Sequence, residues 1–266
     1  MVKILTITNQ KGGVGKTTTC VNLAASLAAT KKRVLMIDMD PQGNATMGSG
    51  VDKHTLEISA YDVLTEPDCA ADAIIKNTPA GYDVIGANAD LTAAEVELLR
   101  LTHREFRLKM ALEPIQDQYD FILIDNPPSL NLLTVNALTA SGGVIIPMQC
   151  EYYALEGISA LIDTIRKINQ RLNPDLKIEG ILRTMFDPRT SLARDVSDHL
   201  IEYFGDQVYR TVIPRNVRLA EAPSHGLPAL KYDKNSRGAV AYLALAGELM
   251  RRIAQAPGYK NKKQEA

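Results

Sequence analysis

The sequence predicts an α/β fold, a doubly wound and mainly parallel sheet with helices on both faces. Short runs of consecutive apolar residues recur along the chain, as in strands that are buried on both faces. Between them lie stretches in which apolar residues return every three or four positions, as in amphipathic helices. This regular alternation indicates βαβ units, which form parallel sheets.

The predicted elements follow one another along the chain. The strands are expected at 3–9, 33–38, 82–86, 121–125, 143–148, 177–184 and 208–213. The helices are expected at 17–28, 92–112, 154–170, 191–204 and 239–255. The weaker pattern of residues 49–81 indicates an elaboration between early strands rather than a linker. We therefore predict one domain over residues 1–257 and a polar, disordered tail over residues 258–266.

Composition excludes several classes of protein. The net charge of −1 provides no global positive field, so any site for a polyanion must be a local patch. The three cysteines lack paired spacing, which argues against a disulfide framework or a zinc site and indicates a reducing compartment. The sequence contains no signal-peptide pattern and no window of about 20 apolar residues. We therefore expect a cytoplasmic protein with no membrane partner.

A glycine-rich segment, QKGGVGKTT at residues 10–18, joins the first predicted strand to the first predicted helix. Phosphate-binding loops occupy this junction, because glycines let backbone N–H groups converge on phosphate oxygens and the helix N-terminus adds its dipole. In that geometry Lys16 neutralises the β and γ phosphates, Thr17 ligates Mg²⁺ and Thr18 contacts the α phosphate. We therefore predict that ATP and Mg²⁺ bind here. The loop residues expected to contact the nucleotide are Lys11, Gly12, Gly13, Val14, Gly15, Lys16, Thr17 and Thr18.

Aspartates end two of the predicted strands. Asp38 and Asp40, in VLMIDMDPQGNAT, point to the same side of an extended segment because side chains alternate with a period of two. We expect Asp40 to orient the attacking water and Asp38 to hold the magnesium shell, although two solvated loop aspartates are an open alternative. Asp125 ends the apolar run YDFILID, where a Walker B acid approaches magnesium through water. The predicted metal-binding set is thus Thr17, Asp38 and Asp125.

A second lysine, Lys11, stands directly after Gln10, which occupies the usual position of the first loop glycine. The segment KGGVGKT resembles the deviant phosphate loop of the family that contains ParA, MinD and the nitrogenase iron protein. In that family the early lysine reaches the nucleotide held by the partner subunit, so the resemblance implies a homodimer with ATP sandwiched at the interface. Lys11 would then be catalytic together with Lys16 and Asp40, because its charge stabilises the phosphoryl-transfer transition state only when two subunits meet. The alternative is that Lys11 binds phosphate in its own subunit.

The resemblance to Soj-type chromosomal ParA proteins extends over nearly the whole chain. It is carried by DMDPQGNAT after the second strand, by QCEYYALEG at 149–157 and by TVIPRNVRLAEAPSHG at 211–226. The adenine-binding loop of that family corresponds to Pro214 and Asn216, with Met185 and Arg215 as neighbours. The loop after the Walker B acid reads NPPSLNLLT, where relatives commonly read CPPSLGLLT. This sequence therefore departs from the family at Asn126 and Asn131, which leaves the dynamics of the loop open.

The resemblance also implies an output. In these proteins the ATP-bound dimer binds double-stranded DNA without sequence preference, and a ParB-type partner stimulates slow hydrolysis and releases the DNA, which segregates chromosomes or plasmids. We therefore expect nucleoid association. Basic residues gather in the C-terminal third, at Arg183, Arg189, Arg194, Arg215, Arg218, Lys231, Lys234 and Arg237. Arg189 and Arg218 match basic positions of the family. Lys231, Lys234 and Arg237 are further candidates, for which solvated helix charges are an equal alternative.

Other functions fit the sequence less well. A MinD-like positioning ATPase acting at a membrane requires an amphipathic C-terminal helix, which GYKNKKQEA does not provide. An iron protein requires cluster-bridging cysteines, and Cys69 and Cys150 lie in different contexts. A regulatory module locked by ATP without hydrolysis is disfavoured by the intact Asp40 and Asp125. No helix-turn-helix segment precedes the first predicted strand, so autorepression is not expected.

Overall fold

The computed structural model describes residues 2–152 and 154–255. Its strands are β1 (Lys3–Ile7), β2 (Val34–Asp38), β3 (Asp83–Ile85), β4 (Phe121–Asp125), β5 (Gly143–Gln149) and β6 (Lys177–Thr184). Over these residues the strands form one six-stranded sheet in the order β3-β2-β4-β1-β5-β6, and every pair is parallel. The predicted parallel α/β sheet is confirmed. The predicted tail at 258–266 lies outside the described residues.

Helices cover both faces of the sheet. They are α1 (Lys16–Ala29), α2 (Asn44–Gly48), α3 (Ala60–Thr65), α4 (Leu91–Leu98), α5 (Arg107–Leu112), α6 (Leu132–Ala140), α7 (Ala154–Arg171), α8 (Ser191–Phe204), α9 (Val217–Glu221), α10 (Ala229–Tyr232) and α11 (Arg237–Gln255). No helix within the described ranges is both long enough and apolar enough to cross a membrane.

Alternate strand residues face opposite layers, which explains why the strands are apolar at consecutive positions. Met36 of β2 packs in the layer formed by α1 and α11. Its neighbours Leu35 and Ile37 pack in the opposite layer, against α3, α4, α5 and α6. Helices α7 and α8 continue that second layer over β5 and β6. Because the helices cover the two faces of the sheet, the carboxyl ends of the central strands are occupied by connecting loops.

The predicted strand at 208–213 is wrong. The amides of Tyr209 and Ile213 do donate to β6 carbonyls, as in a parallel ladder. The amide of Thr211 between them donates instead to the carboxylate of Glu248 on α11, at 2.8 Å. The pairing is therefore reduced to isolated bridges, from Val208 to Ile181 of β6 and from Pro214 to Phe186, which follows β6. The Glu248 side chain, from a helix distant in sequence, accepts a backbone hydrogen bond that a strand ladder would contain. The local sequence pattern does not indicate this contact.

The predicted helix at 92–112 is also wrong, because the chain forms the separate helices α4 and α5. His103 has φ 54°, a left-handed conformation that a continuous α-helix does not contain. The side chain of Asn136 on α6 occupies the break: its Oδ1 accepts from the amide of Leu108 at 3.1 Å. Its Nδ2 donates to the carbonyl of Arg104 at 2.7 Å. The break thus exposes backbone groups that α6 satisfies.

Candidate functional site

The glycine-rich loop lies at the carboxyl edge of the sheet, between β1 and α1. Gly13 and Gly15 have φ of 73° and 87°, in the left-handed region that strains residues with a Cβ. Gly15 directly precedes α1, so the first amides of this helix border the loop. The side chain of Val14 is buried, and its carbonyl accepts from the Thr184 hydroxyl at 2.8 Å. The end of β6 therefore fixes the middle of the loop.

Lys16 closes the loop on itself. Its Nζ donates to the carbonyl of Lys11 at 3.0 Å, and only 8% of the residue is exposed. Burial lowers the pKa of Lys16, while the carboxylates of Asp125 and Asp40 oppose that shift. The charge of Lys16 thus lies in a poorly solvated site, where its attraction for an anion is stronger than in water.

Thr17 and Asp125 form the predicted pair at the ends of α1 and β4. The Thr17 hydroxyl donates to Oδ2 of Asp125 at 2.7 Å, and Asp125 is fully buried. In the part of the chain that the structure describes, no group donates a hydrogen bond to Oδ1 of this carboxylate. Burial raises the pKa of Asp125 well above its usual range, and the nearby charge of Asp38 raises it further. A hydroxyl beside a free carboxylate oxygen is a donor set that suits Mg²⁺.

Asp38 and Asp40 do not share one environment. Asp38 is fully buried, with Oδ2 accepting from the amide and the hydroxyl of Thr46 at 2.8 and 2.7 Å. Burial raises the pKa of Asp38 to about 6, although the bonds from Thr46 oppose that shift. Asp40 lines the cleft next to the loop, and its Oδ1 accepts from the amide of Gln42 at 3.0 Å. Asp40 is therefore the carboxylate of this pair that faces the cleft, whereas Asp38 is buried beside Asp125 in the strand register.

A cleft of about 590 Å³ extends from the loop toward the end of β6. Its lining includes the residues predicted to hold a base, Met185, Pro214, Arg215 and Asn216, together with loop residues Gly12, Gly13, Gly15, Lys16, Thr17 and Thr18. Oδ1 of Asn216 is buried and accepts no hydrogen bond from the described residues. The structure thus brings the phosphate loop and the predicted base-binding loop to one cavity.

Several lining residues were missed by sequence reasoning, among them Asn44, Pro128, Thr184, Val217 and Tyr242. Thr184 could have been found, because it ends β6 at the same edge of the sheet at which ligands of open α/β sheets bind. The others reach the cleft through helix packing and loop conformation, which carry no local signal.

Lys11 does not line the cleft of this single chain. Its Nζ lies 2.5 Å from Oε2 of Glu151, in an ion pair whose two side chains are about half exposed (47% and 50%). Glu151 follows the carboxyl end of β5. The resemblance implied that Lys11 is directed at a nucleotide held by a second subunit, which stays a prediction; in the single chain Lys11 lies beside a neighbouring carboxylate.

The five predicted DNA-binding residues lie in two regions, and one other basic residue of the C-terminal third is an exception. Arg183 is the exception, because it is buried and donates to the Ser197 hydroxyl at 2.8 Å, so it presents no charge to a polyanion. Arg189 lies in the loop between β6 and α8 and pairs with Asp187. The other candidates lie on the adjacent α9, α10 and α11 and their connection: Arg218, Lys231, Lys234 and Arg237, all exposed.

Comparison with known proteins gives consistent matches. A family model described as an AAA domain matches residues 2–178. The sporulation initiation inhibitor protein Soj of Bacillus subtilis is 57% identical over 94% of this chain and 98% of its own length. The chromosome partitioning protein ParA of Myxococcus xanthus is 53% identical over 94% of this chain and 88% of its own. A crystal structure from Mycobacterium smegmatis, named cobyrinic acid a,c-diamide synthase with bound ATP analog and magnesium, is similar with a TM-score of 0.84. Its identity is 37%, over 96% of this chain and 97% of that one.

Proposed function

Because the chain belongs to the family of Soj and ParA chromosome-partitioning ATPases, we propose that it is an ATP-dependent dimerising switch. In this proposal the ATP-bound dimer binds double-stranded DNA without sequence preference. Slow hydrolysis, stimulated by a ParB-type partner, releases the DNA, and repeated cycles segregate chromosomes or plasmids on the nucleoid. The partition proteins are more similar to this chain than the protein named as a synthase, at 57% and 53% against 37% identity.

The observation that carries the nucleotide part is a pair of unpartnered buried oxygens, one on Asp125 behind Thr17 of the phosphate loop and one on Asn216 in the predicted base-binding loop. Within the described residues, Oδ1 of Asp125 and Oδ1 of Asn216 accept no hydrogen bond. Leaving a buried polar atom unpaired costs about 1–3 kcal/mol, which a ligand of the right chemistry removes. Mg²⁺ held by Thr17 and Asp125 would satisfy the first oxygen, and the amino group of adenine would satisfy the second. Guanine has a carbonyl oxygen in place of that amino group. Two hydrogen-bond acceptors, this oxygen and Oδ1 of Asn216, would then face each other without a donor.

Hydrolysis is assigned to the carboxylate that faces the cleft. Asp40 orients the attacking water, since Asp38 is buried and engaged by Thr46. Lys16 neutralises charge on the transferred phosphoryl group from its poorly solvated position. Mg²⁺, when bound, would neutralise the negative charge that develops on the phosphate oxygens. Thr17 and Asp125 would hold it, directly or through water.

Dimerisation completes the site by moving Lys11. In the single chain its partner is Glu151, and an ion pair this exposed contributes about 0–1 kcal/mol. Exchanging that partner for a phosphate held by a second subunit therefore costs little. The added positive charge would stabilise the transition state only in the dimer, which couples hydrolysis to assembly.

The DNA-binding surface is assigned to α9, α10 and the start of α11, with Arg189 as a second region. Lysine and arginine contacts to phosphates give affinity without reading base sequence, which suits a protein that holds any part of a chromosome. Arg218 pairs with Glu221 and Asp233 in the free chain. These exposed pairs are weak and can be exchanged for DNA phosphates.

The decisive experiment measures DNA retention with ADP, with ATP and with a non-hydrolysable ATP analogue, while light scattering records the oligomeric state. We expect a dimer that retains DNA in the presence of ATP or the analogue, and a free monomer with ADP. Equal retention in all three states would refute the switch. Phosphate release with and without DNA and a ParB-type activator separates this proposal from an ATP-locked regulatory module, which would release none.

A further inference from the structure

The loop between β4 and α6, residues 126–131, departs from the related CPPSLG pattern at both ends, and both asparagines make specific contacts. Asn126 is fully buried, and its Nδ2 donates to the carbonyl of Ile7, the last residue of β1, at 3.2 Å. Asn131 is the N-cap of α6, with Oδ1 accepting from the amide of Thr134 at 3.1 Å. The loop is therefore anchored to the sheet at one end and to a helix at the other.

Asn131 makes a second contact that a cap does not require. Its Nδ2 donates to Oε1 of Glu95 on α4 at 2.5 Å, so the side chain joins α4 to α6 across the loop. A hydrogen bond to an ionised acceptor is shorter and stronger than one between neutral groups. Glycine, which relatives commonly carry at this position, has no side chain for either contact. The Thr134 hydroxyl adds a bond to the carbonyl of Ser129 inside the loop, at 2.7 Å.

Between these anchors lie Pro128, Ser129 and Leu130, which are exposed. Pro128 is also part of the wall of the cleft that contains the phosphate loop. An exposed segment with few buried contacts opens at low free energy unless side chains at its ends hold it. The conformation of this wall therefore depends on the contacts of Asn131.

We propose that Asn131 and Glu95 are positioning residues, which hold the 126–131 loop so that Pro128 forms a fixed wall of the nucleotide cleft and slows nucleotide release. The nucleotide part rests on the proposed function. The loop part does not, because it concerns contacts of the free chain. Breaking the Asn131–Glu95 bond loosens the loop, opens the wall and speeds dissociation of the bound nucleotide.

The test exchanges donor and acceptor. Asn131→Asp keeps an effective helix cap, but it removes the donor and places a carboxylate against Glu95. Adding Glu95→Gln supplies an amide donor on the α4 side and restores the contact with the roles reversed. The matched control adds Glu97→Gln to Asn131→Asp. Glu97 lies on the same helix but accepts from the Tyr61 hydroxyl, so its change cannot restore the contact.

Hydrogen exchange of the free chain is the first measurement. We expect exchange of the Ser129, Leu130 and residue-131 amides to rise about tenfold in Asn131→Asp, to return toward wild type in Asn131→Asp/Glu95→Gln, and to stay high in Asn131→Asp/Glu97→Gln. Unchanged exchange in Asn131→Asp, or equal rescue by both second substitutions, would overturn the proposal. Because the double variant must restore the contact, a general loss of stability cannot produce the expected pattern.

The dissociation rate of a fluorescent ATP analogue is the second measurement. We expect a rise of about threefold to tenfold in Asn131→Asp and the same pattern of rescue. A looser loop with an unchanged dissociation rate would overturn the role of Pro128 as a wall. If the wild-type chain bound no nucleotide, the proposed function would fail, whereas the exchange experiment would still decide the role of Asn131.

Discussion

At the scale of single residues, Asn216 offers a direct test of base selection. Its buried Oδ1 accepts no hydrogen bond from the described residues. Removing this oxygen should therefore change the free energy of unfolding little, whereas the nucleotide complex would lose a hydrogen bond. We predict that Asn216→Ala weakens ATP binding by about 1–2 kcal/mol, or roughly fivefold to thirtyfold, and weakens GTP binding less. Calorimetric titration with both nucleotides measures the ratio. Asn235→Ala, at an exposed asparagine that is not part of the cleft lining, is the control, and an equal loss for ATP and GTP in Asn216→Ala would contradict base selection.

Lys11 and Glu151 form a second test at this scale. We predict that Lys11→Ala binds ATP but stays monomeric, because the charge that reaches the second nucleotide is missing. Glu151→Gln should dimerise at an ATP concentration up to about fivefold lower, since the exposed pair it removes is worth about 1 kcal/mol at most. Light scattering across an ATP titration measures both. A monomeric Glu151→Gln variant would instead assign Glu151 to the dimer interface.

Single residues were predictable from sequence where a motif fixes their backbone position. Lys16, Thr17 and Asp125 lie where the loop and the end of an apolar strand place them. The different environments of Asp38 and Asp40 were not predictable. Side-chain alternation with a period of two puts both on one side of the strand, and the hydrogen bonds from Thr46 of α2 that engage Asp38 depend on tertiary packing. The Glu151 partner of Lys11 was likewise hidden, since the two lie 140 residues apart.

At the scale of elements, the sequence predicts well the strands that are buried on both faces and less well the segments whose partners are side chains. Each of the six observed strands overlaps one of the predicted short β-branched or apolar runs. Residues 208–213 form such a run too. The carboxylate of Glu248, however, accepts hydrogen bonds from the amides of Arg210 and Thr211, which prevents a continuous ladder with β6. The break between α4 and α5 has the same origin, because the polar side chain of Asn136 bonds the backbone there.

Glu248 therefore anchors the 208–214 segment to α11, and its titration is testable. Burial alone would raise the pKa of Glu248, but bonds from Thr211, Arg210 and Arg252 together lower it. A lowered pKa in the folded chain gives stability that is complete above the ordinary glutamate pKa of about 4.3 and is lost as the pH falls below it.

We predict that Glu248→Gln destabilises the fold by about 1–3 kcal/mol at pH 7, because it removes the charge that accepts these bonds. The difference from wild type should shrink as the pH falls below about 4.3. Urea unfolding at several pH values measures it. Glu202→Gln, an exposed residue of α8, is the control and should change little. A difference that is constant with pH would contradict the role of the ionised carboxylate.

At the scale of the whole molecule, the fold places the nucleotide cleft next to the proposed DNA surface. Strand β1 lies between β4 and β5, so the phosphate loop that follows it adjoins the ends of both neighbours. One part of the cleft lining is formed by residues 213–217, 219 and 220, which include residues of α9. Val217 and Ala220 of α9 line the cleft, and Arg218 lies between them on the same short helix. In the proposed function, nucleotide binding and DNA binding thus share one element.

That shared element leads to the last prediction. Arg218→Glu should keep ATP binding and ATP-dependent dimerisation but lose DNA retention, and its residual binding should depend less steeply on salt because fewer phosphate contacts form. The matched control is Arg166→Glu on α7, since Arg166 also pairs with an acidic residue three positions away, Asp163, and is exposed. The control makes the same change in net charge at a site away from α9. DNA retention measured from low to high salt compares the two variants. If both variants lost DNA retention equally, the effect would come from net charge alone. Normal, salt-sensitive retention by Arg218→Glu would show that Arg218 of α9 is not part of the DNA-binding surface.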